Sequence, residues 1–217
     1  KDIKTGNSNL HAIIGAGTGL GISRGLIHKN KIEILSSEGG HVEFSPRTDE
    51  EWEIKKWLKL YLNIQRVSCE RVISGEGLSN IARWRLDQSD AQDHPINALL
   101  RDTSNEDKSN IHLSENVCEM SKQGDKIMME IEQIWLDSYA SFIGDLAIHE
   151  LCFGGLWITG GTASKHYKNF CSESFLKEIS NKGRFKDIVK SIPIRVILHE
   201  EFGLHSAACR AATFWKK

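Results

Sequence analysis

The run Gly15-Ala16-Gly17-Thr18-Gly19-Leu20-Gly21 places four glycines at alternate positions between two apolar stretches. Such a backbone turns tightly and brings its N–H groups against an anion, and Thr18 adds a hydroxyl donor, so the segment reads as a loop that cradles phosphate oxygens. It is not the dinucleotide fingerprint GxGxxG, because Leu20 stands at the sixth position, and no GxxxxGK[ST] occurs in the chain. Rossmann and Walker folds are therefore disfavoured. The flanks predict strands over Leu10–Ile14 and Gly21–Ile27, with a third over Ile32–Leu35 after the turn His28-Lys29-Asn30-Lys31. A phosphate loop carried on a strand-turn-strand hairpin belongs to a different architecture.

Seventeen residues after Gly21 comes Glu38-Gly39-Gly40-His41. Two glycines between a carboxylate and an imidazole let both side chains approach one ligand, and these groups suit a sugar, whose hydroxyls both donate and accept. The alternative is a β-turn with two exposed polar residues. Glu70, in SCERVISGEGL, is a second candidate carboxylate; its alternative reading is an acid in a first helical turn, offsetting the helix dipole. Glu43 and Glu76 read as surface charges. Gly160-Gly161 closes an apolar stretch, where bare backbone lets a nucleotide base or ribose lie close, or where a strand simply turns into a helix.

The 217 residues, 40% apolar with net charge −1, describe a globular chain and imply no nucleic-acid or membrane partner. Neither an apolar run of about 18 residues nor a secretory leader is visible, which makes the cytoplasm the expected compartment. Cys69, Cys118, Cys152, Cys171 and Cys209 are widely spaced without a CxxC pair and read as reduced, buried thiols. The nine histidines show no metal-ligand spacing, so no metal site is expected. The six tryptophans read as packing residues. Lys1 is not an initiator methionine, and a polar lead-in runs straight into a strand, which suggests a fragment.

Thr48-Asp49-Glu50-Glu51 has the capping-box pattern and predicts a helix reaching to Asn63. Short helices are predicted over Cys69–Ile73 and Leu78–Leu86, separated by Ser74-Gly75-Glu76-Gly77, with Asp87–Asn110 as a surface excursion around a helix at Ile96–Leu100. Ser114 is a candidate cap for a helix over Glu115–Gln123, and spacings of three and four predict a long helix over Asp125–His149. A strand within Gly154–Gly161, another over Ile194–Leu198, and a helix over Leu204–Trp215 complete a mixed α/β order without internal repeats.

On these residues the chain resembles the bacterial ATP-dependent glucokinases of the actin-like sugar-kinase superfamily. The resemblance rests on IIGAGTGLG, EGGHVEF (Glu38–Phe44), CERVISGEGL (Cys69–Leu78), GGLWITGG (Gly154–Gly161), NKGRFKDIVKSIP (Asn181–Pro193) and FGLHSAA (Phe202–Ala208), in the family's order. It implies an α/β fold of the actin-like (ribonuclease H-like) kind, incomplete, lacking most of the small amino-terminal lobe. Residues 1–200 would be the large lobe, and 201–217 a carboxy-terminal helix that packs on the small lobe.

The resemblance further implies that Gly15, Gly17 and Thr18, with Gly160 and Gly161, bind the nucleotide, and that Gly19, Glu38, His41 and Glu70 bind the sugar. It implies ATP and Mg2+ as cofactors, D-glucose as acceptor, glucose 6-phosphate as product, and a homodimer. A zinc-motif subfamily is disfavoured, since VEFSPRTDEE follows His41. The chain departs from the family in having neither an Asp-x-Gly-Gly-Thr loop nor an Asn-Asp pair, whose aspartate is the base for the sugar 6-hydroxyl. The expectation is thus an inactive or nearly inactive large lobe, or alternatively a non-catalytic sugar- or nucleotide-binding module.

Overall fold

The computed structural model describes residues 9–29, 31–101, 113–199 and 201–215. Strands β1 (Leu10–Ala16), β2 (Leu20–His28) and β3 (Lys31–Ser37) precede helices α1 (Asp49–Tyr61), α2 (Gly75–Leu86), α3 (Pro95–Arg101), α4 (Leu113–Lys122) and α5 (Lys126–Glu150). Strand β4 (Gly155–Thr159) leads into α6 (Gly161–Lys165), α7 (Tyr167–Phe170), α8 (Glu173–Ile179) and α9 (Lys186–Ser191), followed by β5 (Ile194–Val196) and α10 (Phe202–Trp215). Lys1–Gly40 with Tyr139–Lys217 forms one unit, and His41–Ser138 a second.

The first unit is built on a five-stranded sheet of order β3-β2-β1-β4-β5. The β1–β2 and β2–β3 pairs are antiparallel, whereas β1, β4 and β5 run parallel. Alternation decides which face is core: Ala12, Ile14 and Ala16 of β1, Leu20 and Ile22 of β2, and Leu156 and Ile158 of β4 are all buried. Each large aliphatic among them contributes about 1.5–3 kcal/mol by leaving water. The other face carries a polar stack, in which Trp157 Nε1 donates to His11 Nδ1 at 3.3 Å and the Arg195 guanidinium lies 5.0 Å from the Trp157 ring.

The three strands predicted at the start of the chain form, but they are longer than their apolar runs. Pairing continues through Gly15 opposite Gly21 to Ala16 opposite Leu20, so the outer glycines are strand residues and the loop is only Gly17–Gly19. An antiparallel ladder extends as far as its connection permits, and three residues suffice here. Short helices α6 to α9 fill the stretch between β4 and β5. Of these, α6 packs on β1 and β4.

In the second unit the Thr48 hydroxyl caps α1 by accepting from the Glu51 amide at 3.1 Å. The reciprocal arm of the capping box does not form. The buried Glu51 carboxylate instead accepts from the Arg47 amide at 2.7 Å and from Ser138 Oγ at 3.1 Å. The predicted helix at Cys69–Ile73 is a single 3₁₀ turn, Cys69–Arg71, and the supposed separator Ser74–Gly77 opens α2. Ser74 caps that helix by accepting from the Gly77 amide at 2.9 Å. Close packing explains the glycine, since a Cβ there would lie 2.3 Å from the carbonyl carbon of Val72.

Ser114 lies inside helix α4 (Leu113–Lys122) and so does not cap it. The polar stretch after Asp87 is anchored as far as Asn97. Ala91, His94, Ile96 and Asn97 are buried, and Asn97 Nδ2 donates to the carbonyls of Leu86 at 3.1 Å and Ala91 at 2.7 Å. Its last part, 102–110, lies outside the described residues. Three of the thiols are buried as expected, but Cys171 and Cys209 are exposed. Trp52 is likewise exposed, on the outer face of α1. Among the described residues no helix is long and apolar enough to cross a membrane.

Candidate functional site

In the first unit, two connections meet at the carboxyl end of parallel strands β1 and β4, the end of an open α/β sheet where ligands bind. One is the hairpin tip Gly17-Thr18-Gly19, and the other the β4–α6 turn at Gly160-Gly161. Gly15 pairs with Thr159 in the sheet, and Thr162 Oγ1 donates to the Ala16 carbonyl at 2.9 Å, which ties the turn to the base of the tip. The Gly17 amide donates to the Gly19 carbonyl at 2.9 Å, closing the tip. The amides of Thr18 and Gly19 and the Thr18 hydroxyl make no hydrogen bond to the described residues, which leaves three donors at the tip.

The glycines at this end differ in what they do. Gly160 has φ 99°, and a Cβ on it would lie 2.4 Å from the Ala16 carbonyl oxygen, so the fold itself requires glycine there. Gly17 and Gly161 have no atom within 4 Å of an added Cβ, and neither occupies the left-handed region. Nothing among the described residues asks for glycine at those two positions; their bare backbone faces open space of the kind a phosphate or ribose would fill.

Glu38 is exposed and follows β3. Of the glycines after it, Gly40 is a packing residue: its Cβ would meet the Leu20 carbonyl oxygen at 2.1 Å. Glu38 thus reaches its position because a glycine allows the chain leaving β3 to press on the backbone of β2.

In the second unit, His41 and Glu70 are neighbours, with Nδ1 3.9 Å from Oε1. They are 29 positions apart, and backbone pairing brings them together: the Phe44 amide donates to the Val67 carbonyl and the Cys69 amide to the Val42 carbonyl, each at 2.9 Å. Arg66 Nη1 holds the His41 carbonyl at 2.5 Å. Behind Glu70, Ser74 Oγ donates to its carbonyl at 2.8 Å, and Trp135 Nε1 donates to the Ser74 carbonyl at 3.1 Å. The result is an exposed imidazole beside a part-exposed carboxylate on a well-supported backbone, an arrangement that can accept from and donate to vicinal hydroxyls.

Glu43 and Glu76 are surface charges, as their sequence context indicates. Glu43 pairs with Lys55 Nζ at 2.7 Å, and that ammonium holds the Glu43 carboxyl below its ordinary value; Glu76 pairs with Arg83 at 3.2 Å. Sequence reasoning missed Arg66, Ser74 and Trp135 as supports of the His41–Glu70 pair. Only Ser74 carried a local signal, a hydroxyl three residues before Gly77 at a helix start.

The fold is shared with solved sugar kinases. Superposition on a glucokinase from an Antarctic psychrotroph gives a TM-score of 0.68 at 22% identity, covering 90% of this chain and 55% of that one. A ROK family glucokinase from Streptomyces griseus, solved with glucose and AMPPNP, gives 0.50 at 19% identity, covering 87% of this chain and 55% of that one. Sequence narrows the class further. The family model for glucokinase matches residues 1–214, and the chain belongs to the glucokinase family. It is 35% identical over 206 residues to the glucokinase of Nostoc sp. strain PCC 7120, an alignment covering 93% of this chain. The chain spans about 60% of the length of that relative.

Proposed function

We propose that this chain is the large lobe of an actin-like glucokinase, which transfers the terminal phosphoryl group of ATP to the 6-hydroxyl of D-glucose in the cytoplasm. The observation that carries the reading is the pair of glycines, Gly17 and Gly161, that flank open space at one end of β1 and β4 without any steric need of their own. A phosphate chain fits this cradle, with the Thr18 and Gly19 donors on its oxygens and the Gly160-Gly161 backbone beside the adenosine. Glu38, His41 and Glu70 are the sugar ligands in this reading, and Gly19 approaches the sugar.

Catalysis of phosphoryl transfer is mainly positioning and charge stabilisation. ATP supplies the transferable group. Mg2+ would come with the nucleotide, since residues 15–21 and 160–162 include no carboxylate to hold it. The base that takes the 6-hydroxyl proton lies, in this reading, outside these 217 residues, which contain no Asn-Asp pair. That same feature favours the second reading, a sugar- and nucleotide-binding module without turnover. Residues 201–217 would pack on the small lobe, and the protein would act as a homodimer.

Calorimetric titration of the full chain with glucose and with AMPPNP tests the proposal. Saturable binding of both is expected, with Glu70→Gln weakening glucose about tenfold, the loss of one charge-assisted hydrogen bond, and Gly17→Ala weakening AMPPNP alone. Failure of both variants to change either affinity would overturn the residue assignments. Glucose 6-phosphate formation that survives in the parent chain and disappears in Glu38→Ala would refute both the external base and the module reading.

A further inference from the structure

We infer that the cleft between α8, α9 and the start of β5 is a second ligand site, for a small organic phosphate with an apolar body. The cleft has a volume of about 640 Å³, within the roughly 300–1,000 Å³ range of small-molecule pockets. It lies at the amino end of β5, where the Pro193 carbonyl accepts from the Leu156 amide at 2.8 Å, so it is at the opposite end of the parallel strands from Gly17–Gly19. The nucleotide cradle does not account for it.

Two features of the lining define the ligand. Lys177, Lys186 and Lys190 all contribute, the last two one helical turn apart on α9, and none of the three ammonium groups has an ion-pair partner among the described residues. Elsewhere in this unit Lys182 is paired, with Asp145 at 2.6 Å, so the three lining lysines differ from it in lacking a carboxylate partner among the described residues. Glu173 is the single acid in the lining, which leaves a surplus of two positive charges facing the cleft. A phosphate monoester carries a matching charge of about −1.5 to −2 at neutral pH, and lysine ammonium groups bind such oxygens as compact point charges. The floor is apolar: Val189 and Ile192 are buried beneath it, while Leu176 is 45% exposed and would be covered by a ring or other apolar body.

The test is titration of the ¹⁵N-labelled full chain with phenyl phosphate, followed by amide chemical shifts, with inorganic phosphate as the comparison. Expected are saturable shifts confined to residues 176–180 and 186–194, with inorganic phosphate binding the same residues more weakly. Changing Lys177, Lys186 and Lys190 together to Gln should weaken phenyl phosphate at least about tenfold, as loss of one or more charge-assisted hydrogen bonds requires. The lysines are exposed, so the variant keeps its fold, and the parent's shift map is an independent readout. Absence of shifts in these residues, or a triple variant that binds as the parent does, would overturn the site. Equal affinity for the two phosphates would overturn the role of the apolar floor.

Discussion

Replacing Gly160 with alanine would put a methyl carbon 2.4 Å from the Ala16 oxygen, 2.7 Å from its carbonyl carbon and 2.9 Å from its nitrogen. All three contacts are backbone atoms of a central strand, so no side-chain rotation relieves them. The new residue would also hold φ near 99°, a strained region for any L side chain that costs about 1–3 kcal/mol. Overpacking of this kind adds about 1–3 kcal/mol, and displacing Ala16 weakens the Thr162 hydrogen bond by about 1 kcal/mol more. The expected loss is about 3–7 kcal/mol, against a total stability for a folded domain of about 5–15 kcal/mol. For a chain of this length, at about 2–4 °C per kcal/mol, that lowers the melting temperature by at least about 6 °C.

Gly161→Ala is the internal control, with open space for its methyl and an ordinary φ at the first position of α6; it should be neutral or stabilising by up to about 1 kcal/mol. Differential scanning calorimetry of the two variants beside the parent decides the matter. A Gly160→Ala protein that melts within about 2 °C of the parent, or a Gly161→Ala protein that melts as early as Gly160→Ala, would refute the reasoning.

Asp125 titrates against α5. Burial pushes its carboxyl up, but the Met128 amide at 3.0 Å and the His94 ring at 3.2 Å outweigh that and hold it below its ordinary value. A depressed carboxyl stabilises the fold above its unfolded pKa, about 3.9, and this contribution is lost as pH falls through the folded value. Asp125→Asn should therefore flatten the loss of stability below about pH 4 in urea melts at stepped pH, and an unchanged acid limb would contradict it. Thiol titration with an aromatic disulfide should find Cys171 and Cys209 reactive in the native chain and the buried Cys69, Cys118 and Cys152 protected, Cys152 doubly so because burial pushes its thiol up to about 11. Rapid native labelling of Cys152 would contradict its burial.

Much of this arrangement was legible because it rests on local rules. The β1–β2–β3 meander follows from alternation and from turn residues, and α1 from the Thr48 cap. Helix α5 follows from apolar spacing sustained over many turns. What escaped the sequence was short or long-range. Helices α6 to α9 are four to seven residues long, too short for a period of 3.6 to repeat. The start of α2 was hidden because Gly75 and Gly77 are poor helix formers, and only the packing of Gly77 on Val72 and the Ser74 cap override that preference. The neighbouring of His41 and Glu70 depends on the pairing of residues 42–44 with 67–69, for which neither segment carries a signal.

The glycines make the limit sharpest. Gly160 and Gly161 are adjacent and identical in sequence, yet one is demanded by a backbone oxygen 2.4 Å from where its Cβ would be, and the other meets nothing. Gly40 and Gly17 divide in the same way. A sequence motif merges the two kinds, since both are written with the same letter, and only coordinates separate the glycine that lets the chain approach itself from the glycine that leaves room for something else. If room for a ligand is the reason for the second kind, a methyl at Gly17 or Gly161 should weaken binding without cost to stability, while a methyl at Gly40 or Gly160 should cost stability first. That opposition between two readouts, at positions one residue apart, follows from the physics of close contact alone and holds whichever phosphorylated ligand occupies the cradle.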